Sequence, residues 1–124
     1  VTTGYNGFPR GIMDDIESRH ERPEKYQWTV HAEPNAIANA ARMGASTVGC
    51  TAYVTKTPCS LCMALLIQAG IVRVVCPRPD EMADEWKDSR IAEEMADEAK
   101  VDIIWTGTRN GAYCRSTHQS MVSQ

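Results

Sequence analysis

Three potential metal ligands in two separate motifs constrain the fold of this chain more than any other feature. His31 begins the motif His31-Ala32-Glu33, and two cysteines lie in the motif Pro58-Cys59-Ser60-Leu61-Cys62. Zinc takes nitrogen and sulfur ligands in a tetrahedron, and a catalytic zinc keeps one of its positions open. If His31, Cys59 and Cys62 bind one ion, the fold must bring together two segments that lie far apart in the sequence.

Each motif is followed by a helical pattern. Residues 34–43 are rich in alanine and end before Gly44, and residues 60–69 are apolar and end before Gly70. Cys59 and Cys62 are three positions apart, which places them on one face at the start of the second helix. We therefore expect both helix N-termini to point at the metal, where their partial positive charge favours thiolate ligands.

Glu33 follows His31 by two residues, an offset that leaves it free of the metal but able to reach a water molecule there. It would accept the proton of that water and pass it to a departing amine. A lone C-x-x-C could also be a redox pair or half of a structural zinc site. The sequence has no second C-x-x-C and no nearby pair of histidines to complete such a site. The two motifs together resemble the zinc-binding pattern of nucleobase deaminases.

Composition indicates a single globular domain over residues 1–124. The chain is 43% hydrophobic and 23% charged, and its net charge is −3. It has no apolar run near the ~20 residues of a membrane span and no basic patch suited to nucleic acid. Apart from the C-x-x-C pair, its cysteines are scattered as in a reduced, cytoplasmic protein. We expect a small-molecule substrate, no nucleic acid and no membrane partner.

The hydrophobic pattern alternates between strands and helices. It predicts strands at residues 1–5, 51–55, 71–76 and 101–105, and helices at residues 34–43, 60–69 and 82–99. A short helix is possible around residues 14–22, and the tail after Tyr113 is expected to be frayed. This order predicts an α/β fold with a mixed sheet that is largely parallel in its second half.

Longer segments resemble the deoxycytidylate (dCMP) deaminase family of the zinc-dependent cytidine/deoxycytidylate deaminase superfamily. They are Thr3-Gly4-Tyr5-Asn6-Gly7-Phe8-Pro9-Arg10-Gly11, His31-Ala32-Glu33-Pro34-Asn35-Ala36-Ile37, Thr57-Pro58-Cys59-Ser60-Leu61-Cys62 and Ile67-Gln68-Ala69-Gly70-Ile71. Nucleoside cytidine deaminases typically carry a cysteine in place of His31. Transfer-RNA adenosine deaminases share the His-Ala-Glu and Pro-Cys-x-x-Cys motifs but only part of the stretch from Gly4 to Gly11.

The resemblance implies a three-layer α/β/α cytidine-deaminase-like fold and a homo-oligomer, namely a hexamer. It implies zinc-dependent conversion of dCMP to dUMP and ammonia, which supplies dUMP for dTMP synthesis. It also implies activation by dCTP and inhibition by dTTP, with Mg²⁺ accompanying the triphosphate. Family members usually have a helix and a strand before the first matching segment, so we expect that N-terminal sequence to be missing here.

The resemblance also assigns residues. Asn6 would hold the sugar 3′-hydroxyl, the backbone N–H of Ala32 would donate to the ring carbonyl, and Thr57 and Pro58 would line the substrate site. The effector site would include Gly7, Arg10 and Gly11, where glycines permit close approach to phosphates.

The residues that would bind the substrate phosphate depart from the family pattern. Some members have a tyrosine, often followed by arginine, after the third strand, whereas this chain has Cys76-Pro77-Arg78-Pro79-Asp80. Arg78 could bind the phosphate through two parallel hydrogen bonds. Three alternatives remain: a deaminase of another cytosine nucleotide or nucleoside, a nucleic-acid base deaminase, and a catalytically silent nucleotide-binding relative.

Overall fold

The computed structural model describes residues 2–79, 86–106 and 120–123, and the strands in these ranges form one sheet. The strands are β1 (Thr2–Gly4), β2 (Thr51–Tyr53), β3 (Arg73–Cys76), β4 (Asp102–Trp105) and β5 (Ser120–Ser123). Their order across the sheet is β1-β5-β2-β3-β4, and each described pairing is parallel. The predicted α/β class is confirmed, but the described sheet is parallel rather than mixed.

Three helices connect strands β1 to β4 in chain order. They are α2 (Ala32–Met43), α3 (Ser60–Gln68) and α4 (Trp86–Glu98), and they follow a short α1 (Lys25–Trp28). Helix α2 contacts β1 and β5, α3 contacts both α2 and α4, and α4 contacts β4. None of the described helices is long and apolar enough to cross a membrane.

Helix α2 ends where the sequence predicts. Gly44 adopts a left-handed conformation with φ of 73°, and its N–H donates to the carbonyls of Ala40 and Ala41. This conformation is open to glycine without the steric cost that a Cβ atom would bring. The predicted helix at residues 14–22 is wrong in type and extent, because the structure has only a 3₁₀ turn at Glu17–His20.

The tail is the largest difference from prediction. Residues 120–123 were expected to be frayed, but they form β5 between β1 and β2. Four residues with serines at both ends carry little strand signal of their own. Their order comes from pairing with two strands that lie far away in the sequence. Residues 80–85 and 107–119 lie outside the described ranges, and so do the predicted start of the third helix and Cys114.

The core lies between the sheet and the helices, and small side chains allow these layers to approach closely. Ala36 of α2, Ala52 of β2 and both Ala92 and Ala96 of α4 are fully buried. The larger core members Met63, Leu66, Val74 and Cys76 pack around them. In a parallel sheet with short loops, the helix N-termini adjoin the carboxyl ends of the strands, which is where such folds bind ligands.

Strand β1 approaches the start of α2 more closely than any side chain would permit. A Cβ atom at Gly4 would lie 2.5 Å from the carbonyl oxygen of Ala32 and still closer to the backbone nitrogen of Ala36. Gly4 is therefore required for space. The first turn of α2, which follows His31, rests directly on this glycine.

Candidate metal centre and active site

The two sequence motifs meet at the carboxyl edge of the sheet. His31 is the N-cap residue of α2 and Cys59 is the N-cap residue of α3, while Cys62 lies in the first turn of α3. The ligand atoms of these three residues all lie within 4.8 Å of one another. Nδ1 of His31 is 3.3 Å from Sγ of Cys62 and 3.8 Å from Sγ of Cys59.

These separations fit a tetrahedral zinc ion. With zinc–nitrogen and zinc–sulfur bonds of ~2.1 and ~2.3 Å at tetrahedral angles, a nitrogen and a sulfur ligand lie ~3.6 Å apart. The two observed distances of 3.3 and 3.8 Å bracket this value. Two sulfur atoms and one nitrogen atom leave one position of a tetrahedron for water, as in catalytic zinc sites.

The pKa values of the two thiols also favour binding of a metal cation. A hydrogen bond from Cys62 lowers the pKa of Cys59, which favours its thiolate form. The same interaction and burial raise the pKa of Cys62. One proton shared by two sulfur atoms leaves a negative charge where a cation would bind.

Glu33 is half-buried beside this cluster, in the first turn of α2. Burial raises the pKa of its carboxyl group above the usual value. A carboxylate with a raised pKa is a stronger base toward water, which is the property that a general base needs. The chain therefore places a base next to the metal ligands without making it one of them.

The segment before His31 is held against α2 by hydrogen bonds. The N–H of Ala32 donates to Oδ1 of Asn6 at 2.7 Å, and Gly7 forms a two-bond antiparallel bridge with Val30. In this structure, therefore, the N–H predicted to meet the ring carbonyl binds Asn6. The bridge at Gly7 fixes the backbone just before His31.

The residues predicted for an effector site, Gly7, Arg10 and Gly11, are not among those that line the cavity at the metal centre. Nη2 of Arg10 donates to Oδ1 of Asn39 at 2.6 Å, which ties this segment to α2. Gly11 has φ of +80° and open space around its Cα atom.

A cavity of about 760 Å³ opens over the metal ligands. Its lining includes Asn6, Ala32, Glu33, Thr57 and Arg78, all of which the sequence suggested. Pro58 is fully buried behind this surface, and the hydroxyl of Thr57 donates to the carbonyl of Pro77 at 2.7 Å. These two residues therefore shape the loop that leads to Cys59.

Several residues of the cavity have no motif that could have revealed them: Arg22, Tyr26, Lys56, Asp88 and Ser89. Arg22 and Tyr26 come from the segment before α2, and Asp88 and Ser89 from α4. Arg22 lies over the ring of Tyr26 and Arg78 over the ring of Trp105, at 5.6 and 5.3 Å. The basic side chains suit an anionic ligand.

An α/β fold with a His/Cys/Cys centre and an adjacent free carboxylate defines the class of zinc-dependent deaminases. The family described as "Cytidine and deoxycytidylate deaminase zinc-binding region" matches residues 1–77, and the chain belongs to this family. A protein of Aliivibrio fischeri, described as "Uncharacterized deaminase in luxG 3'region", is 37% identical over 107 residues. That match covers 85% of this chain and 70% of the relative.

Deoxycytidylate deaminases of mouse and human are 39% and 38% identical to this chain over 94 residues. Each match covers 72% of this chain and 49% of the relative, so the chain spans about half the length of these two proteins.

Solved structures support the fold. The dCMP deaminase of cyanophage S-TIM5 in apo form has a TM-score of 0.59 at 20% identity, covering 85% of this chain and 70% of that chain. The same protein in complex with dCMP and dUMP has a TM-score of 0.55 at 22% identity. That match covers 79% of this chain and 66% of that chain. The cytidine-deaminase-like fold expected from the sequence is confirmed.

Proposed function

We propose that this chain catalyses the hydrolytic deamination of dCMP to dUMP with release of ammonia. The observation that carries the proposal is that Glu33 lines the same cavity as His31 and Cys59, two of the three zinc-type donors that lie together. The relatives named deoxycytidylate deaminase support the choice of substrate. The basic side chains of the cavity are consistent with a nucleotide rather than a nucleoside.

His31, Cys59 and Cys62 would hold the zinc ion, which when bound lowers the pKa of a water molecule to ~7. Glu33 accepts the proton of the attacking water and delivers it to ring N3 of the base. It then takes the remaining proton of that water from the hydroxyl on C4 and delivers it to the exocyclic amine, as the C4 carbonyl of dUMP forms. A bond forms between C4 and the oxygen of water, the bond from C4 to the amine breaks, and ammonia leaves.

Asn6 and Ala32 would orient the nucleoside. Because Oδ1 of Asn6 accepts from the N–H of Ala32, its amide nitrogen remains as the donor for the sugar 3′-hydroxyl. A ring carbonyl bound to Ala32 would have to take the place of that contact. Thr57 and Pro58 act through the shape of their loop, and Arg78 binds the 5′-phosphate.

Ammonia release from a panel of substrates tests the proposal. Zinc-loaded protein is given dCMP, deoxycytidine, dCTP and a single-stranded cytosine oligonucleotide at equal concentrations, and dCMP is expected to react much faster than the others. Preference for deoxycytidine or for the oligonucleotide would assign a different substrate class. Binding of dCMP without ammonia release from any compound would indicate a catalytically silent relative.

Regulation is a second part of the proposal and rests on the resemblance of the segment from Gly4 to Gly11. We propose a homo-hexamer in the cytoplasm that supplies dUMP for dTMP synthesis, activated by dCTP and inhibited by dTTP. Gly7, Arg10 and Gly11 would contact the effector, with Mg²⁺ on its phosphates. Light scattering for the assembly and dCMP turnover with each effector test this part, and an unchanged rate with both would exclude it.

A further inference from the structure

Helices α2 and α3 have the same unusual start. The N-cap residue of a helix usually accepts a hydrogen bond from a backbone N–H of the first turn through its side chain. Here the two N-cap residues are His31 and Cys59, and neither side chain makes that bond. Both are candidate metal ligands, so their side-chain atoms are directed at the metal centre instead.

Each helix obtains the missing acceptor from another part of the chain. At α2, Oδ1 of Asn6 accepts from the N–H of Ala32 at 2.7 Å. At α3, Oδ2 of Asp88 accepts from the N–H of Ser60 at 2.7 Å, and Oδ1 of Asp88 accepts from the hydroxyl of Ser60 at 2.6 Å. In each case the capped N–H belongs to the residue immediately after a candidate ligand.

The contact at α3 is the stronger of the two by its chemistry. Asp88 is half-buried on α4, it uses both carboxylate oxygens on one residue, and charge-assisted hydrogen bonds are stronger than neutral ones. A negative charge also stabilises the positive end of the helix dipole. Asp88 binds Ser60, which lies between the two cysteines of the centre, directly after Cys59 and two residues before Cys62.

We propose that Asp88 is a positioning residue for the metal centre, acting through Ser60 to hold Cys59 and Cys62 at the separation that zinc requires. Cys59 depends on this contact more than Cys62, because Cys62 is buried within α3 whereas Cys59 is only partly buried at its end. The inference rests on the zinc site of the proposed function and on no particular substrate.

The rate of zinc loss tests this role. Zinc-loaded protein is mixed with the chelator 4-(2-pyridylazo)resorcinol, and the absorbance of the zinc complex gives the rate of release. Asp88→Ala is expected to release zinc about tenfold faster, because partners that orient ligands typically contribute 10- to 100-fold to metal affinity. Asp97→Ala, an exposed position on the same helix, is the matched control and is expected to match the parent protein.

Two further variants separate positioning from a general effect on folding. Asp88→Asn is expected to restore a slow release, because an amide can accept from the N–H of Ser60 and donate to its hydroxyl. Ser60→Ala removes one of the two bonds and is expected to be intermediate. The thiolate-to-cobalt absorption band of cobalt-loaded protein should shift in Asp88→Ala and return in Asp88→Asn.

Equal zinc release from Asp88→Ala and Asp97→Ala would overturn the proposal. So would equally fast release from Asp88→Asn and Asp88→Ala. If Asp88→Ala does not fold, an unchanged release rate in Ser60→Ala overturns it, and a faster rate supports it. Since these measurements need no substrate, a failure of dCMP turnover leaves this result standing.

Discussion

At the scale of single residues, Arg78 and Arg22 place two guanidinium groups on the wall of the cavity. Both arginines line the cavity, and each guanidinium lies over an aromatic ring, Arg78 over Trp105 and Arg22 over Tyr26. Stacking on a ring restrains a long side chain while leaving its N–H groups available for an anion. A phosphate is therefore the substrate feature to which Arg78 should be most sensitive.

Arg78→Ala is expected to raise the KM for dCMP by ~10- to 100-fold, the range for loss of hydrogen bonds to a charged group. Turnover of deoxycytidine, which has no phosphate, should change little. Steady-state ammonia release with both substrates gives the comparison. Arg42→Ala, an exposed position on α2, is the control. Equal losses for dCMP and deoxycytidine would remove Arg78 from the phosphate site.

Cys76 and Cys59 are cysteines of opposite reactivity. Burial raises the pKa of the Cys76 thiol to about 12, whereas hydrogen bonding lowers that of Cys59 to about 5. In metal-free folded protein at pH 7, iodoacetamide is therefore expected to alkylate Cys59 and to leave Cys76 unmodified. Peptide mass spectrometry distinguishes the sites, and rapid modification of Cys76 would contradict its burial.

The raised pKa of Cys76 also predicts how the free energy of unfolding changes with pH. Because the folded pKa of Cys76 lies above its unfolded value, its contribution to the free energy of unfolding is fully present below pH ~8.5 and is lost as the pH rises toward 12. Denaturant unfolding of the parent and of Cys76→Ala between pH 8 and 10 should show a weaker pH dependence in the variant.

The residues of the two motifs were the part of the site that the sequence predicted best. His31, Glu33, Cys59 and Cys62 carry chemistry in a fixed spacing, and spacing is a local property of the chain. Arg22, which precedes α1, and Asp88, which lies on α4, reach the cavity only in the folded chain, so no local sequence pattern predicts them. Residues that act through tertiary contacts are invisible until the fold is known.

At the scale of elements, the close contact between β1 and α2 positions the start of α2, where His31 and Glu33 lie. Gly4→Ala is expected to lower the free energy of unfolding by ~1–3 kcal/mol, because its Cβ atom would overlap backbone atoms that cannot move independently. Chemical denaturation measures the change, and zinc content shows whether the shift of α2 reaches His31.

Gly7→Ala is the matched comparison, since no atom lies within 4 Å of a Cβ atom built at Gly7. Its effect should stay within ~0.5 kcal/mol, as for ordinary surface substitutions. If both variants lose the same free energy of unfolding, the close approach of β1 to α2 is not the reason that position 4 needs a glycine.

Elements were predictable where the local pattern was strong. The helices α2 and α3 were placed to within two residues, because each has a helical apolar pattern and a glycine after it. Strand β5 was missed, since its order comes from pairing with β1 and β2. The short 3₁₀ turn at Glu17–His20 lies in an irregular segment with two prolines nearby, where propensity decides little.

At the scale of the whole molecule, the metal centre joins two helices that contact each other and pack against the same sheet. His31 begins α2, and Cys59 and Cys62 begin α3, so a bound zinc ion would link these elements at their N-termini. A ligand that binds only the folded state stabilises it by mass action, by ~4 kcal/mol at a thousandfold excess over its Kd.

Removal of zinc by a chelator should therefore lower the Tm by about 10 °C or more for a chain of this size. Differential scanning calorimetry measures the shift, and added zinc should reverse it. Cys62→Ala protein, which lacks one ligand, is the control and should respond weakly to both treatments. An unchanged Tm after complete zinc removal would contradict a metal that joins the two helices.

Ammonia release from dCMP by zinc-loaded parent protein and by Glu33→Gln is the most direct test of the account. The variant keeps the shape of the side chain and all three metal donors, so the two proteins should contain equal zinc. We predict that kcat falls by a factor of ~10²–10⁴, the usual contribution of general acid–base catalysis. Turnover by Glu33→Gln within a few fold of the parent, at equal zinc content, would contradict the assignment of Glu33 as the general acid and base and with it the proposed mechanism.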